Sequence, residues 1–119
     1  MSGRALSAVE SYVEARNVAD LDALLALFGD AAVLRHGGGC ITGAEALRQF
    51  VAEVLLGRAR PLTIARLISD GNVAMVELWR ADLATSEERR HALEVLVVDG
   101  DGLIQELSIY RWDLQGDIR

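Results

Sequence analysis

Apolar residues change their spacing once along this chain, near Pro61, and the change divides it into a helical half and a strand half. From about Ala5 to Asn17 the positions Val9, Tyr12 and Val13 fall at helical spacing, which predicts an amphipathic helix. Asp20 or Asp22 starts a second predicted helix through Leu24, Leu25, Leu27 and Phe28. Gly29 is suited to the left-handed residue that would end it. Ala32 to Arg35 reads as a short strand, followed by the flexible triplet Gly37, Gly38 and Gly39. Thr42 and Glu45 have capping-box spacing, in which the threonine side chain takes an orphan amide and the glutamate reaches back. They predict a third helix to about Leu56, burying Leu47, Phe50, Val51 and Val54.

Beyond Pro61 the runs are β-branched and aromatic. Leu62 to Ser69, Asn72 to Leu83, Arg90 to Val98 and Leu103 to Asp113 read as strands. They are separated by Asp70-Gly71, the polar stretch Thr85 to Arg89, and Asp99-Gly100-Asp101-Gly102. The first and last of these breaks suit hairpin turns. Helices first and a meander last predict an α+β fold: a cone of curved antiparallel sheet wrapped around three N-terminal helices. In the run from Ala92 to Val98 every residue except Glu94 is apolar. Both faces of that strand therefore require cover. One cover is the helices and a pocket. The other, over Leu93, Val95 and Val97, is a second copy of the chain, which predicts a homodimer through the outer sheet face.

Length and charge narrow the functional classes. A chain of 119 residues reads as one domain over 1–119, able to bury roughly 65% of its unfolded surface. No apolar run approaches the ~18 residues needed to cross a bilayer, and no membrane partner is expected. The amino terminus lacks the long apolar stretch of a signal peptide. Cys40 is alone, so a cytoplasmic, reducing compartment is the simplest expectation. The net charge is −6, and every basic residue is an arginine. Scattered arginines on an acidic chain argue against nucleic acid, and without lysine no Schiff base can form on a lysine side chain. Two histidines and one cysteine argue against a zinc site. No metal or cofactor is expected.

The segment Ser7 to His36, SAVESYVEARNVADLDALLALFGDAAVLRH, joins a helix carrying Tyr12 to a strand ending in His36. It resembles the start of the nuclear transport factor 2-like superfamily, and within it ketosteroid isomerases and SnoaL-like polyketide cyclases. The similarity runs from about Ala8 to Tyr110. It is carried by Tyr12, Asn17, Asp20-Leu21-Asp22, Ala26-Leu27-Phe28 and Asp30, and resumes at Gly43, Arg48 and Phe50. The resemblance implies a cofactor-independent enzyme, an isomerase, cyclase or dehydratase, that moves a proton next to the carbonyl of a flat apolar or aromatic compound.

By that resemblance Tyr12 matches an oxyanion-hole tyrosine; the bland reading is a core tyrosine bonded to backbone. His36 stands where ketosteroid isomerases carry a proton-shuttling aspartate, a departure from the isomerase pattern that keeps a group suited to proton transfer near neutrality. The bland reading is a solvated loop histidine. Glu94 aligns with a carboxylic acid kept protonated as a second donor. Its alternative is a carboxylate paired with an arginine such as Arg66, Arg80 or Arg111. Strand alternation puts Leu107, Ile109 and Arg111 on the Glu94 face, and groups Met75, Glu77 and Trp79 on one parity of the neighbouring strand. With Phe50, the residues Met75, Trp79, Leu107, Ile109 and Arg111 are the candidate substrate-binding wall, although a one-residue slip of register would exchange the faces.

Two rival readings remain: a non-catalytic module that binds a hydrophobic ligand or a partner, and an epoxide hydrolase-like site built from Glu77, Glu94 and Arg111. Three features carry nothing further. His36-Gly37-Gly38-Gly39 spells a lipase oxyanion motif without its GxSxG partner. Asp99 to Gly102 reads as a turn rather than a calcium loop, and Cys40 as a plain free thiol.

Overall fold

The computed structural model describes residues 3–56, 61–80 and 90–111. Its helices are α1 (Gly3–Asn17), α2 (Leu21–Leu25) and, after the first two strands, α3 (Ala44–Phe50), which runs on through a π-helical turn, Val51–Leu55. The strands are β1 (Phe28–His36), β2 (Gly39–Thr42), β3 (Leu62–Asp70), β4 (Val73–Arg80), β5 (Arg90–Val98) and β6 (Ile104–Arg111). They form one curved, unclosed sheet in the order β2-β1-β6-β5-β4-β3. The fold is α+β, as the sequence pattern predicts. Every neighbouring pair is antiparallel except β1 with β6, which run parallel.

The helices cover one face of the sheet. Ala5, Ala8, Val9, Tyr12 and Val13 of α1 share the core with Leu24, Leu47, Val51 and Leu55, and with the inward rows Ala74, Val76, Leu78, Ala92, Leu96, Leu107 and Ile109. At the end of α1, Asn17 locks the helix to the sheet. Its Nδ2 donates to the carbonyl of Leu62 at 2.9 Å, and its Oδ1 accepts from the Leu62 amide at 2.9 Å.

Local structure departs from the sequence pattern at three places. The second helix ends at Leu25, and Phe28 and Gly29 are strand residues, because the Ile104 amide donates to the Leu27 carbonyl at 2.7 Å and draws the chain into the sheet. The glycine triplet is the tip of a hairpin, with Gly37 and Gly38 between the paired His36 and Gly39. Thr42 is held extended opposite Val33, so no capping box forms. Gly43, at φ 92°, instead turns the chain into α3 without a side-chain cap, a conformation that suits glycine. At the other hairpin Asp99 Oδ1 accepts from the amides of Asp101 (2.9 Å) and Leu103 (3.0 Å), so this acidic stretch is a closed turn. The polar stretch Thr85 to Arg89, and the strand ends expected at Leu83 and Asp113, lie outside the described residues.

Asp20 is the N-cap of α2, its Oδ1 accepting from the Ala23 amide at 3.0 Å. Asp20→Ala should destabilise the fold by about 1 kcal/mol, read as a lower urea midpoint with an unchanged slope.

Candidate functional site

The inward face of the sheet carries a carboxyl group. Glu94, at 0% exposure in the middle of β5, stands opposite Ile109 on β6 and Val76 on β4. A carboxylate so placed is costly without partners, and α1 supplies two. Tyr12 and Arg16 are four residues apart, one above the other on the helix face that meets the sheet. The Tyr12 hydroxyl donates to Glu94 Oε1 at 2.6 Å. Arg16 Nη1 donates to Glu94 Oε2 at 3.0 Å and to the Tyr12 oxygen at 3.2 Å. The guanidinium also lies over the Tyr12 ring, 5.4 Å from its centre, within cation–π range. Arg16 is 5% exposed, and its Nε has no hydrogen-bond partner among the described residues.

Burial, above all, holds the Tyr12 phenol well above its ordinary pKa; the Glu94 charge adds to this and Arg16 opposes it. Burial pulls the Arg16 guanidinium down, but Tyr12 and Glu94 more than offset that, and its pKa is raised. Tyr12 is therefore a standing donor and Arg16 a standing cation.

A cavity of about 210 Å³ opens beside this cluster, lined by Arg16 and Glu94 and by His36, Gly37 and Gly38 of the β1–β2 hairpin. Phe50, Val54, Leu55 and Ile109 form its apolar wall, with Arg111 also in the lining. The His36 ring stacks on Phe50, centroids 4.9 Å apart and planes at 27°. Its Nδ1 accepts from the Gly38 amide at 3.0 Å. The π-helical turn after α3 brings Val54 and Leu55 to the wall.

The structure thus brings together His36, Glu94, Phe50, Ile109 and Arg111. Tyr12 is fully buried and outside the lining, bonded to the two lining residues Glu94 and Arg16. Leu107 shares the Glu94 face but lies in the core. Met75 and Trp79 are on the opposite face, which corrects the parity read from sequence: the β4 residues facing inward are Ala74, Val76 and Leu78, opposite Leu96, Glu94 and Ala92. Outside the sheet, Glu77 accepts from Arg66 Nε and from Trp79 Nε1, both at 2.7 Å. Glu77 therefore joins no cluster with Glu94, and Arg66 is not the arginine beside it. Arg16 is that residue, missed in the sequence although its spacing from Tyr12 marks the same helix face. Arg35 pairs with Glu106 at 2.9 Å among exposed side chains. A second, wider groove of about 650 Å³ lies between α2, β1 and α3, lined by Leu25, Phe28, Asp30, Glu45, Leu47 and Arg48 among others. It holds none of the residues singled out for chemistry.

A family model described as a SnoaL-like domain matches residues 9–107, most of the chain and all three members of the buried cluster. The chain belongs to the SnoaL-like domain family. No curated protein matches it by sequence. Among solved structures, this SnoaL-like domain is similar to a SnoaL-like protein of unknown function from Burkholderia thailandensis, with 17% identity over 93% of this chain and 96% of that one and a TM-score of 0.76. It is also similar to an epoxide hydrolase from Mycobacterium tuberculosis (25% identity, 92% and 84% covered, TM-score 0.67). A third similar structure is a putative ketosteroid isomerase from Kribbella flavida (18% identity, 92% and 78% covered, TM-score 0.64).

Two outcomes follow from the buried cluster of this SnoaL-like domain. Arg16→Met strands the Glu94 charge and should cost about 3–5 kcal/mol, whereas Arg16→Met with Glu94→Gln should recover much of that loss. Equal destabilisation of single and double variants in urea titrations would show that the charges are not coupled. Tyr12→Phe should cost about 1.5–3 kcal/mol near neutral pH. Because the folded phenol titrates above its unfolded value of 10.0, its contribution is complete below about pH 10 and is lost as pH rises through the folded pKa. The stability gap between wild type and Tyr12→Phe should therefore narrow above pH 10. A gap constant to the alkaline limit of folding would contradict this.

Proposed function

We propose that this SnoaL-like domain is an enzyme of the isomerase, cyclase or dehydratase kind, moving a proton next to the carbonyl of a small, flat, largely apolar substrate. The observation that carries this reading is the cavity itself, whose lining includes an imidazole, a buried carboxylate–arginine pair and apolar side chains. Those are the parts an enolisation needs: groups that exchange a proton with carbon, and groups that hold charge developing on oxygen. Glu94 enters as a carboxylate partnered by Arg16 and Tyr12, not as a lone protonated donor. The cavity is below the ~300–1,000 Å³ typical for drug-sized ligands, which favours a substrate of one or two rings.

Exchange of α-hydrogens in D2O tests this without knowing the natural reaction. A panel of one- and two-ring ketones, followed by NMR, should show protein-dependent deuterium uptake. Glu94→Gln should slow it by about 100- to 10,000-fold. Ketones that bind in the cavity and exchange no faster than in buffer would point to the binding-module reading. The Arg16–Glu94 pair also favours a second chemistry, water activation on an epoxide, as in the name of the M. tuberculosis structure. Incorporation of ¹⁸O from labelled water into small epoxides separates the two reactions.

The assembly we propose is a homodimer through the outer sheet face. There Leu93, Val95 and Val97 are only partly covered, next to Met75, Ile68 and Tyr110 at 41%, 68% and 59% exposure. Ile68 pairs with Met75 and Met75 with Val95 across three strands, giving a continuous apolar row of the kind that marks an interaction surface. Light scattering should give twice 12.9 kDa at micromolar concentration. Val95→Arg should return the monomer, and a wild-type monomer throughout that range would remove the dimer.

A further inference from the structure

The polar groups lining the cavity differ in their hydrogen-bonding sense, and that difference assigns roles within the proposed reaction. We infer that His36 meets the substrate as a neutral hydrogen-bond donor through Nε2, with Gly38 as the residue that fixes this tautomer, so that the proton is received by Glu94. The inference rests on the enolisation reading for its catalytic meaning and on geometry alone for the tautomer.

The Gly38 amide donates to His36 Nδ1 at 3.0 Å. A backbone amide can only donate, so Nδ1 holds a lone pair, and a neutral imidazole then carries its hydrogen on Nε2. Two further contacts hold the ring in this pose. Phe50 stacks on one face at 4.9 Å. Gly38 lies so close to the ring that an added Cβ would stand 2.8 Å from Cε1 and 3.3 Å from Nδ1, so only glycine lets the imidazole fold over the hairpin tip. Protonating Nδ1 would set two donors face to face. Accepting a proton at Nε2 requires the other tautomer, which forfeits the Gly38 bond. With Nδ1 turned to the backbone, Nε2 is the nitrogen left to reach a ligand.

Among the side chains lining the cavity, Arg16 and Arg111 have no acceptor atoms. Glu94 does. Tyr12 and Arg16 each occupy one of its oxygens once, and an ionised carboxylate has about four acceptor sites. The balanced step follows. The substrate carbonyl oxygen accepts from His36 Nε2–H; Glu94 takes the α-proton, and the C–H electron pair becomes the enolate. Glu94, now protonated, returns the hydrogen to carbon, and the negative charge on oxygen is held by His36. A carboxylate is a workable base for such a step when the oxygen is held by strong donors. The polarity is opposite to the one the resemblance implies, where the position of His36 moves the proton.

Histidine ¹⁵N–¹H correlation spectra at about pH 8, above the ordinary imidazole value of about 6.5, decide the tautomer directly. His36→Gln identifies which of the two histidine spin systems is lost. Wild type should show protonated Nε2 and bare Nδ1. A protonated Nδ1, or rapid exchange between equal tautomers, would overturn the inference and leave the enzyme reading intact. Gly38→Ala should displace the ring and lower the Nε2–H population; an unchanged spectrum would overturn the positioning role of Gly38. In the deuterium-exchange assay His36→Gln, which keeps an N–H donor, should retain activity to within about tenfold, a single hydrogen bond's worth. His36→Leu should lose more. If His36→Gln is as slow as Glu94→Gln, His36 is the base and the inference falls. If no ketone exchanges with any variant, the proposed function fails, while the spectra still decide the donor role of His36.

Discussion

The bond on which the rest of this structure depends is the buried pair between Arg16 and Glu94, closed by Tyr12. A charged carboxylate in the middle of a sheet, on its helix-covered face, would oppose folding if it stood alone. Two short contacts from one helix face answer it, and they fix the helix as well, since α1 must present Tyr12 and Arg16 together. Position, rotation and charge are set by one cluster. Arg16 near the end of α1 is favourably placed against the helix dipole as well.

That cluster gives the cavity its character. Phe50, Val54, Leu55 and Ile109 would make a plain hydrophobic pocket, filled by whatever fits. With the ion pair and an imidazole in its lining, the same space offers groups that, in the proposed reading, orient a molecule by its oxygen. Glu94 has little freedom to move because both oxygens are bonded, and His36 little because its ring lies between Phe50 and Gly38. Held groups lose little on reorganising as charge develops, which is what electrostatic catalysis asks of a protein.

Much of the fold was legible because its signals are local and repetitive. The helical spacing of Val9, Tyr12 and Val13, and the uninterrupted apolar run around Glu94, each point to one element. What escaped prediction depends on distant pairing. Leu27 and Phe28 continue a helical pattern, yet an amide 77 residues away, that of Ile104, makes them the entrance to a strand. Thr42 and Glu45 spell a cap, but pairing with Val33 comes first. On β4 the alternation was visible but its phase was not: Met75, Glu77 and Trp79 share a face, and only the opposition of Val76 to Glu94 says that it is the outer one. Arg16 was readable in principle from its four-residue spacing to Tyr12. Its burial is not legible from the helix alone, because a buried arginine needs a partner and that partner, Glu94, lies in the other half of the chain.

The central claim is that one cavity orients a flat ligand between a donor and a carboxylate. A crystal structure with a small phenol bound tests it most directly, because a phenol has both the ring and the oxygen of an enol. The account predicts the ring packed between Phe50 and Ile109, its oxygen within hydrogen-bonding distance of His36 Nε2, and Glu94 facing the ring with its bonds to Tyr12 and Arg16 intact. A phenol seated in the groove between α2 and α3, or reversed so that its oxygen bonds Glu94 while His36 stays unengaged, would contradict it.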